Sequence, residues 1–401
     1  MTLRRVAVTG LGGIAATGHD AVALASALAA GLCGIRPIAN IPTDRLSIRT
    51  AAEVTGFDPA VHFEPRRLAQ LDRTAQFALV AARQAMQGDA LAGLAPTRAG
   101  VVLGAAIGQG TYETAYHDFY AEGLNRFPPL TLPRCMPSGA ASLVSMEFGL
   151  RGPCFAPASA CASSTHAIGL TFHMIRGGLL DLALAGGSDA SITPGCVKGW
   201  EALRVLSPDL CRPFSRDRTG LVLGEGAAVF LLEEYQHAHA RGATIHAEIL
   251  GFGMGADAAD LTAPSAEGAA EAMQAALADA GLPAATIDYI NAHGTGTRLN
   301  DRTETAAIRR VFGPHPPPVS SVKSMLGHCL CAGGALEFLA TVAALRRGLL
   351  PPTINFREPD PECDLDCVPN VARAAAIEVA MSNSFAFGGL NAVLVARRAG
   401  P

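Results

Sequence analysis

Apolar positions along the chain fall into two kinds of run. Short stretches dense in Val, Ile, Leu and Ala, among them "RRVAVTG" (4–10), "AGVVLGAAIG" (99–108), "LDLALAGGSD" (180–189), "LVLGEGAAVFLLEE" (221–234) and "AVLVARR" (392–398), predict buried strands. Longer stretches in which apolar residues return every three or four positions predict helices: "DAVALASALAAG" (20–31), "RTAQFALVAARQAM" (73–86), "STHAIGLTFHMIRGG" (164–178), "AEGAAEAMQAALADAG" (266–281) and "GGALEFLATVAALRRG" (333–348). Their alternation predicts an α/β layered architecture. Near "HAEILGFGMGADAAD" (246–260) a strand-like run gives way to a small, acidic, glycine-rich loop, so residues 1–250 and 251–401 are expected to form two halves. No self-similarity in the sequence relates them.

Composition narrows the class. At 401 residues with 49% apolar and 16% charged positions, the chain can bury a large core and does not resemble a disordered segment. Its 43 glycines and 26 prolines follow no period, which suits many tight turns between short elements. Net charge is -4 and no block of like charges occurs, so neither nucleic acid nor an anionic membrane is the expected partner. The ten cysteines sit mostly in apolar or alanine-rich stretches, and the start "MTLRRVAVTGLGG" is too glycine-broken for a signal peptide. We read a reduced, cytoplasmic setting, and no apolar window long enough for a membrane span.

Candidate chemistry lies at junctions of small residues. "TGLGGIA" (9–15) fits a relaxed dinucleotide fingerprint, but no Asp or Glu stands between Asp20 and Asp44 to hold a ribose, so it is read as a tight strand-to-helix turn. In "PASACASSTHAIG" (157–169), Cys161 stands where a helix begins, with small neighbours that let a substrate approach the main chain. The helix dipole there is expected to lower its pKa. His293 in "YINAHGTGT" and His328 in "SVKSMLGHCLCAGG" each follow a strand-like run. Singly, each of the three also reads as a structural residue. Together they point to nucleophilic chemistry on an acyl group. "HCLC" lacks the second ligand pair of a structural zinc site. Phe385 and Phe387, ahead of Gly388 and Gly389, read either as core aromatics or as a mobile loop with free amides.

Taken in order, "GLRGP", "ACASSTHAIG", "CRPFSRDRTGLVLGEGA", "NAHGTGT", "KSMLGH" and "NSFAFGGLNA" resemble the elongating β-ketoacyl-acyl carrier protein synthases of type II fatty acid and polyketide synthesis, over nearly the whole chain. The resemblance implies a thiolase-like fold, two similar halves in a five-layer α-β-α-β-α arrangement, and an acyltransferase that uses no redox cofactor or metal, its phosphopantetheine arriving on the carrier. It implies that Cys161 accepts the acyl group, that His293 and His328 complete a triad, and that Lys323 with its acidic partner Glu337 tunes the second histidine, His328. Asp301, Glu304, Thr295 and Thr297 are implied as supports, Phe387 and Phe385 as gate, and the amides of Cys161 and Phe387 as oxyanion hole. Ser164 and Gly296 depart from the commoner glycine and serine of the family, which bears on pocket shape.

The family's carriers are acidic, so Arg66, Arg67 and Arg73 of "FEPRRLAQLDR" and Arg204 of "EALRVLS" are candidates for docking. The resemblance further implies a homodimer, or a heterodimer with a chain-length partner in a specialised polyketide, polyene or polyunsaturated acyl pathway. "IGQGTYETAYHDFY" (107–120) is expected to border the acyl pocket. A degradative thiolase would need a second cysteine where this chain has "SFAFGG". A thiol hydrolase would leave the second histidine unused, and a non-catalytic partner would lack Cys161.

Overall fold

The computed structural model describes residues 3–86, 88–105 and 108–400. Each apolar run named above forms its predicted element. Ten strands carry the architecture: β1 (Val6–Ala15), β2 (Ala99–Ala105), β3 (Cys154–Phe155), β4 (Leu182–Asp189), β5 (Gly226–Glu234), β6 (Ala247–Ala256), β7 (Tyr289–Asn291), β8 (Val319–Ser320), β9 (Val379–Ala386) and β10 (Leu390–Arg398). They lie in the order β3-β2-β4-β5-β1-β6-β10-β9-β7-β8.

That order contains one motif twice. Numbered within each set of five, both read third, second, fourth, fifth, first. In both, the first three are parallel and the last two antiparallel. Among the described residues the two sets are joined by strand pairing only between β1 and β6, over three residues, Val6 to Val8 against Ala247 to Ile249. Sequence self-similarity is absent because a strand pattern constrains side-chain type and not identity.

Eight helices matter to the site: α1 (Arg73–Ala85), α2 (Gln109–Tyr120), α3 (Gly139–Phe148), α4 (Ser163–Arg176), α5 (Pro194–Ala202), α6 (Ala266–Ala280), α7 (Arg298–Phe312) and α8 (Gly333–Arg347). Helices α1 and α3 cover the outer face of the first five strands, and α6, backed by α7, covers that of the second. Helices α4 and α8 touch each other and strands of both sets, so they form a central layer, giving the five layers α-β-α-β-α. Their buried faces, including Ile168, Phe172, Ile175, Phe338, Leu339 and Val342, belong to one continuous core. Full burial of each such side chain contributes about 1.5–3 kcal/mol.

One expectation is corrected here. The glycines of "TGLGGIA" do not make a strand-to-helix turn; they lie inside β1. A Cβ on Gly10 or Gly12 would overlap the carbonyl oxygens of Ala85 and Ala81 on α1, so these glycines let helix backbone rest on strand backbone.

Candidate active site

Helices α4 and α8 are each entered through a 3-10 turn, Ala160–Ala162 and Leu330–Ala332, whose first residue is left-handed: φ is 46° at Ala160 and 44° at Leu330. Non-glycine residues pay for that conformation, so the turns must be held by their surroundings. Around Cys161, Ser163 Oγ donates to Ala160 O (2.7 Å) and accepts from Ser159 N (2.9 Å). A Cβ on Gly104 of β2 would run into the Ser163 backbone. The absence of a side chain on Gly104, and likewise on Gly187 of β4, is what lets the turn press against the strands.

Cys161, in the first half, and His328, in the second, meet at 3.0 Å between Sγ and Nε2. The strand-like segment around Leu223 holds His328: its N–H donates to Val222 O (2.6 Å) and its carbonyl accepts from Gly224 N (3.0 Å). His293 follows β7 directly, its ring centroid 5.4 Å from that of His328 and nearly perpendicular to it. All three side chains are buried and line the same cavity.

Lys323 is 1% exposed. Its ammonium pairs with Glu337, donates to His293 O at 2.6 Å and faces His293 Nδ1 at 3.2 Å. An ammonium has no acceptor capacity, so Nδ1 accepts and the ring proton sits on Nε2. Its direct contact is with His293, and its charge also acts through space on His328, the histidine it was expected to tune. Burial, reinforced by Lys323, lowers the pKa of both histidines well below 6.5, so both are neutral at neutral pH. His328 Nδ1 has no hydrogen-bond partner among the described residues, so nothing there fixes its tautomer.

The thiol differs from expectation too. Burial pushes Cys161 up to about 11, against the opposing pull of Lys323 and of a hydrogen bond from the Phe387 backbone N–H. Desolvation of the anion outweighs both. The resting group is a thiol whose proton faces a neutral imidazole.

Supporting residues hold the turn that carries His293. Glu304 accepts from the N–H groups of His293 (2.8 Å) and Gly294 (2.7 Å), and burial raises its pKa to about 7. Asp301 accepts from Phe214 N (2.8 Å) and Gly296 N (3.1 Å). Thr295 and Thr297 join through their hydroxyls at 2.9 Å, and Thr297 caps α7. Gly296 itself, at φ 78°, occupies a conformation that suits glycine.

Phe385 and Phe387 both line the cavity. Phe385 lies edge-on to His293, whereas Phe387 is partly exposed and stacks on Trp200 of α5, 5.8 Å between ring centres. Gly388 and Gly389, both at positive φ, turn the chain after it. The cavity holds about 250 Å³. Its apolar wall, Trp200, Leu203, Val205, Leu221 and Leu299, was missed from the sequence. Trp200, the single tryptophan, was the one available signal. Among the described residues, none of 108–120 lines this cavity. Ile107 lies outside the described residues, and Gly110, Thr111, Thr114, Ala115 and Asp118 line a separate cavity with Leu71, Asp72, Arg73 and Arg134.

Of the candidate arginines, Arg204 is exposed between the cavity residues Leu203 and Val205. Arg66 and Arg67 occupy the short helix Pro65–Leu68 and do not line the cavity. Arg66 is exposed and Arg67 stands 3.9 Å from Glu147. Arg73 is taken up by a two-pronged pair with Glu225 (2.6 and 3.0 Å), which removes it as a docking candidate. Among the described residues no His, Cys, Asp and Glu cluster is arranged to hold a metal, and no helix is long and apolar enough to cross a membrane.

Comparison with known proteins agrees with this arrangement. Residues 3–238 match the family model for the beta-ketoacyl synthase N-terminal domain, and residues 246–357 that for the C-terminal domain. Nodulation protein E of Rhizobium sp. (strain N33) is 49% identical, the alignment covering 98% of this chain and 99% of that protein. The 3-oxoacyl-[acyl-carrier-protein] synthase 2 of Coxiella burnetii (strain RSA 493 / Nine Mile phase I) is 42% identical, with 99% of each covered. Among solved structures, the ishigamide ketosynthase/chain length factor superposes with a TM-score of 0.93 at 38% identity, over 99% of this chain and all of that one. With a repeated five-strand motif, a thiol and two imidazoles in one cavity, and both domain models matched, the chain belongs to the beta-ketoacyl synthase family of acyl-condensing enzymes.

Proposed function

We propose that this enzyme joins an acyl group held on Cys161 to malonyl-acyl carrier protein by decarboxylative Claisen condensation, giving 3-oxoacyl carrier protein, carbon dioxide and free carrier. The observation that carries the reading is the approach of a neutral His328 to the Cys161 thiol at 3.0 Å, beside a His293 whose Nδ1 faces an ammonium. On attack, Cys161 forms a thioester with the acyl carbon and the carrier's sulfur leaves. The thiol proton passes through His328 Nε2 to that sulfur. The Phe387 and Cys161 amides form the hole for the tetrahedral oxyanion.

Malonyl carrier protein then loses its carboxylate as carbon dioxide, and the electron pair becomes a thioester enolate. His293 donates to its oxygen through Nε2–H, the tautomer that Lys323 favours. His328 joins it, since an acylated sulfur no longer donates to Nε2 and Nδ1 has no partner to retain a proton. The enolate carbon bonds to the acyl carbon, the Cys161 thioester breaks, and the thiolate takes a proton from solvent. The reaction so written needs no redox cofactor or metal; phosphopantetheine comes with the carrier. Glu337 neutralises Lys323, Glu304, Asp301, Thr295 and Thr297 keep His293 in place, and Phe387 with Phe385 gates the cavity. The work divides between 1–250, which supplies the nucleophile, and 251–401, which supplies both histidines, with the division near residue 250.

The carrier is read as acidic, docking at Arg66, Arg67 and Arg204. A second chain covers the exposed aromatic face of α2, where Tyr112, Tyr116 and Tyr120 stack in sequence beside Phe119 and Phe127. That chain is another copy, or a chain-length partner of the kind named for the ishigamide ketosynthase. The greater identity to nodulation protein E than to the 3-oxoacyl-[acyl-carrier-protein] synthase 2 favours a specialised acyl chain. Ten free cysteines suit a cytoplasmic location. Incubating the purified enzyme with malonyl carrier protein and a series of acyl carrier proteins, and weighing the products, tests the reading. Extended 3-oxoacyl products that vanish with Cys161→Ala support it, and hydrolysis alone refutes it.

A further inference from the structure

A second basin adjoins the mouth of the thiol cavity, with Leu299 forming part of both walls. Its remaining lining is almost wholly charged: Arg216, Arg218, Arg298 and Arg302 against Asp360 and Glu362. In a chain of net charge -4, four guanidiniums facing two carboxylates are a local reversal of sign. Arg218 is buried and spoken for, by Asp360, by Asp301 at 3.6 Å and by neighbouring carbonyls. Arg302 reaches Glu362 at 3.4 Å, both of them exposed. Arg216 and Arg298 are exposed; Arg216 acts through space on Asp360 without touching it, and neither makes a direct ion pair among the described residues.

The position of Arg298 argues against an indifferent surface. It is the first residue of α7, where the positive end of the helix dipole disfavours a cation. Asp301, the acid of the same first turn, is buried and turned onto Arg218 and two backbone amides, so at the surface the helix end presents Arg298 and, one turn on, Arg302 beside the cavity. A field so placed acts on whatever large anion presents substrate to the thiol.

We infer that the Arg216, Arg298 and Arg302 basin is a docking contact for acidic side chains of the carrier protein, additional to Arg66, Arg67 and Arg204. This rests on the carrier-dependent condensation proposed above. The contact steers the carrier and sets how its prosthetic arm enters past Leu299; it takes no part in bond making.

The test uses the full-length enzyme with the carrier protein that supports wild-type condensation. In the double variant Arg216→Glu and Arg298→Glu, the KM for carrier-bound malonyl substrate rises about tenfold and depends less steeply on salt. Turnover of the N-acetylcysteamine thioester is unchanged. Apo carrier, which lacks phosphopantetheine, loses affinity by the same factor in fluorescence anisotropy. The milder pair Arg216→Gln and Arg298→Gln loses less, in the same order. An unchanged carrier KM, an equal loss on the small thioester, or a loss confined to phosphopantetheinylated carrier overturns the proposal, the last by moving the contact to the phosphate. A wild type that condenses while the variants match it sinks the basin alone. A wild type that neither condenses nor binds apo carrier sinks the functional reading as well.

Discussion

Lys323 offers the sharpest test of how the site works. Removing its ammonium takes away the donor facing His293 Nδ1, so the ring proton is free to leave Nε2, where the enolate needs it. Losing one preorganised donor to a developing oxyanion costs about 3 kcal/mol, roughly 100-fold in rate. The single change Lys323→Met also strands Glu337, which is 2% exposed, and breaking a buried pair costs about 3–5 kcal/mol of stability. The informative variant is therefore Lys323→Met with Glu337→Gln, which removes both charges. Malonyl decarboxylation, followed as carbon dioxide release without an acyl primer, reads the enolate step alone. We expect it to fall about 100-fold in the double variant, while acylation of Cys161, read by intact mass, falls much less. The pH profile adds a signature that a merely structural role would not produce. Lys323 lowers the pKa of His293, so deleting it raises that pKa, and the acid-side loss of activity moves to higher pH. A folded double variant with full decarboxylation and an unmoved acid limb would refute the assignment of the Nε2–H donor to Lys323.

Glu304 has a raised pKa of about 7 against an ordinary 4.5, so the native state binds the extra proton in that interval. Its contribution to stability is fully present below pH 4.5 and is lost as pH rises through 7, and the difference between wild type and Glu304→Gln in urea unfolding should follow that course. Trp200→Ala should enlarge the cavity and shift the 3-oxoacyl products to longer or bulkier chains by mass, with little change in Cys161 acylation by a short acyl group. Charge reversal at Arg66, Arg67 and Arg204 should raise the KM for carrier-bound substrate and spare small thioesters; equal effects on both would remove those residues from the docking surface. Gly12→Ala should cost about 1–3 kcal/mol of stability in denaturant, since its Cβ would overlap the Ala81 carbonyl of α1.

Reading the sequence placed Cys161, His293 and His328 at strand-helix junctions, and the structure brings all three to one cavity. It linked Lys323 to His328, on which its charge does act, but did not foresee the direct contact with His293, because separation along the chain says nothing about which ring a five-bond side chain reaches across a core. The thiol's pKa was misjudged for a similar reason. A helix start is visible in the sequence, but the desolvation that raises the pKa depends on what covers the turn. Arg73 looked like a free surface cation until Glu225, 152 residues away, claimed it.

The alternation of apolar runs by itself determined the α/β class, because burying a strand on two faces and a helix on one leaves a periodicity that can be read locally. The resemblance of its motifs assigned the chemistry, since the reacting atoms have few substitutes. Tertiary structure alone decided that each half repeats one strand order, that Gly10 and Gly12 serve helix packing, and that Trp200 lies against Phe387. Those are contacts between segments distant in sequence, set by how the layers stack, and no local pattern of residues encodes them.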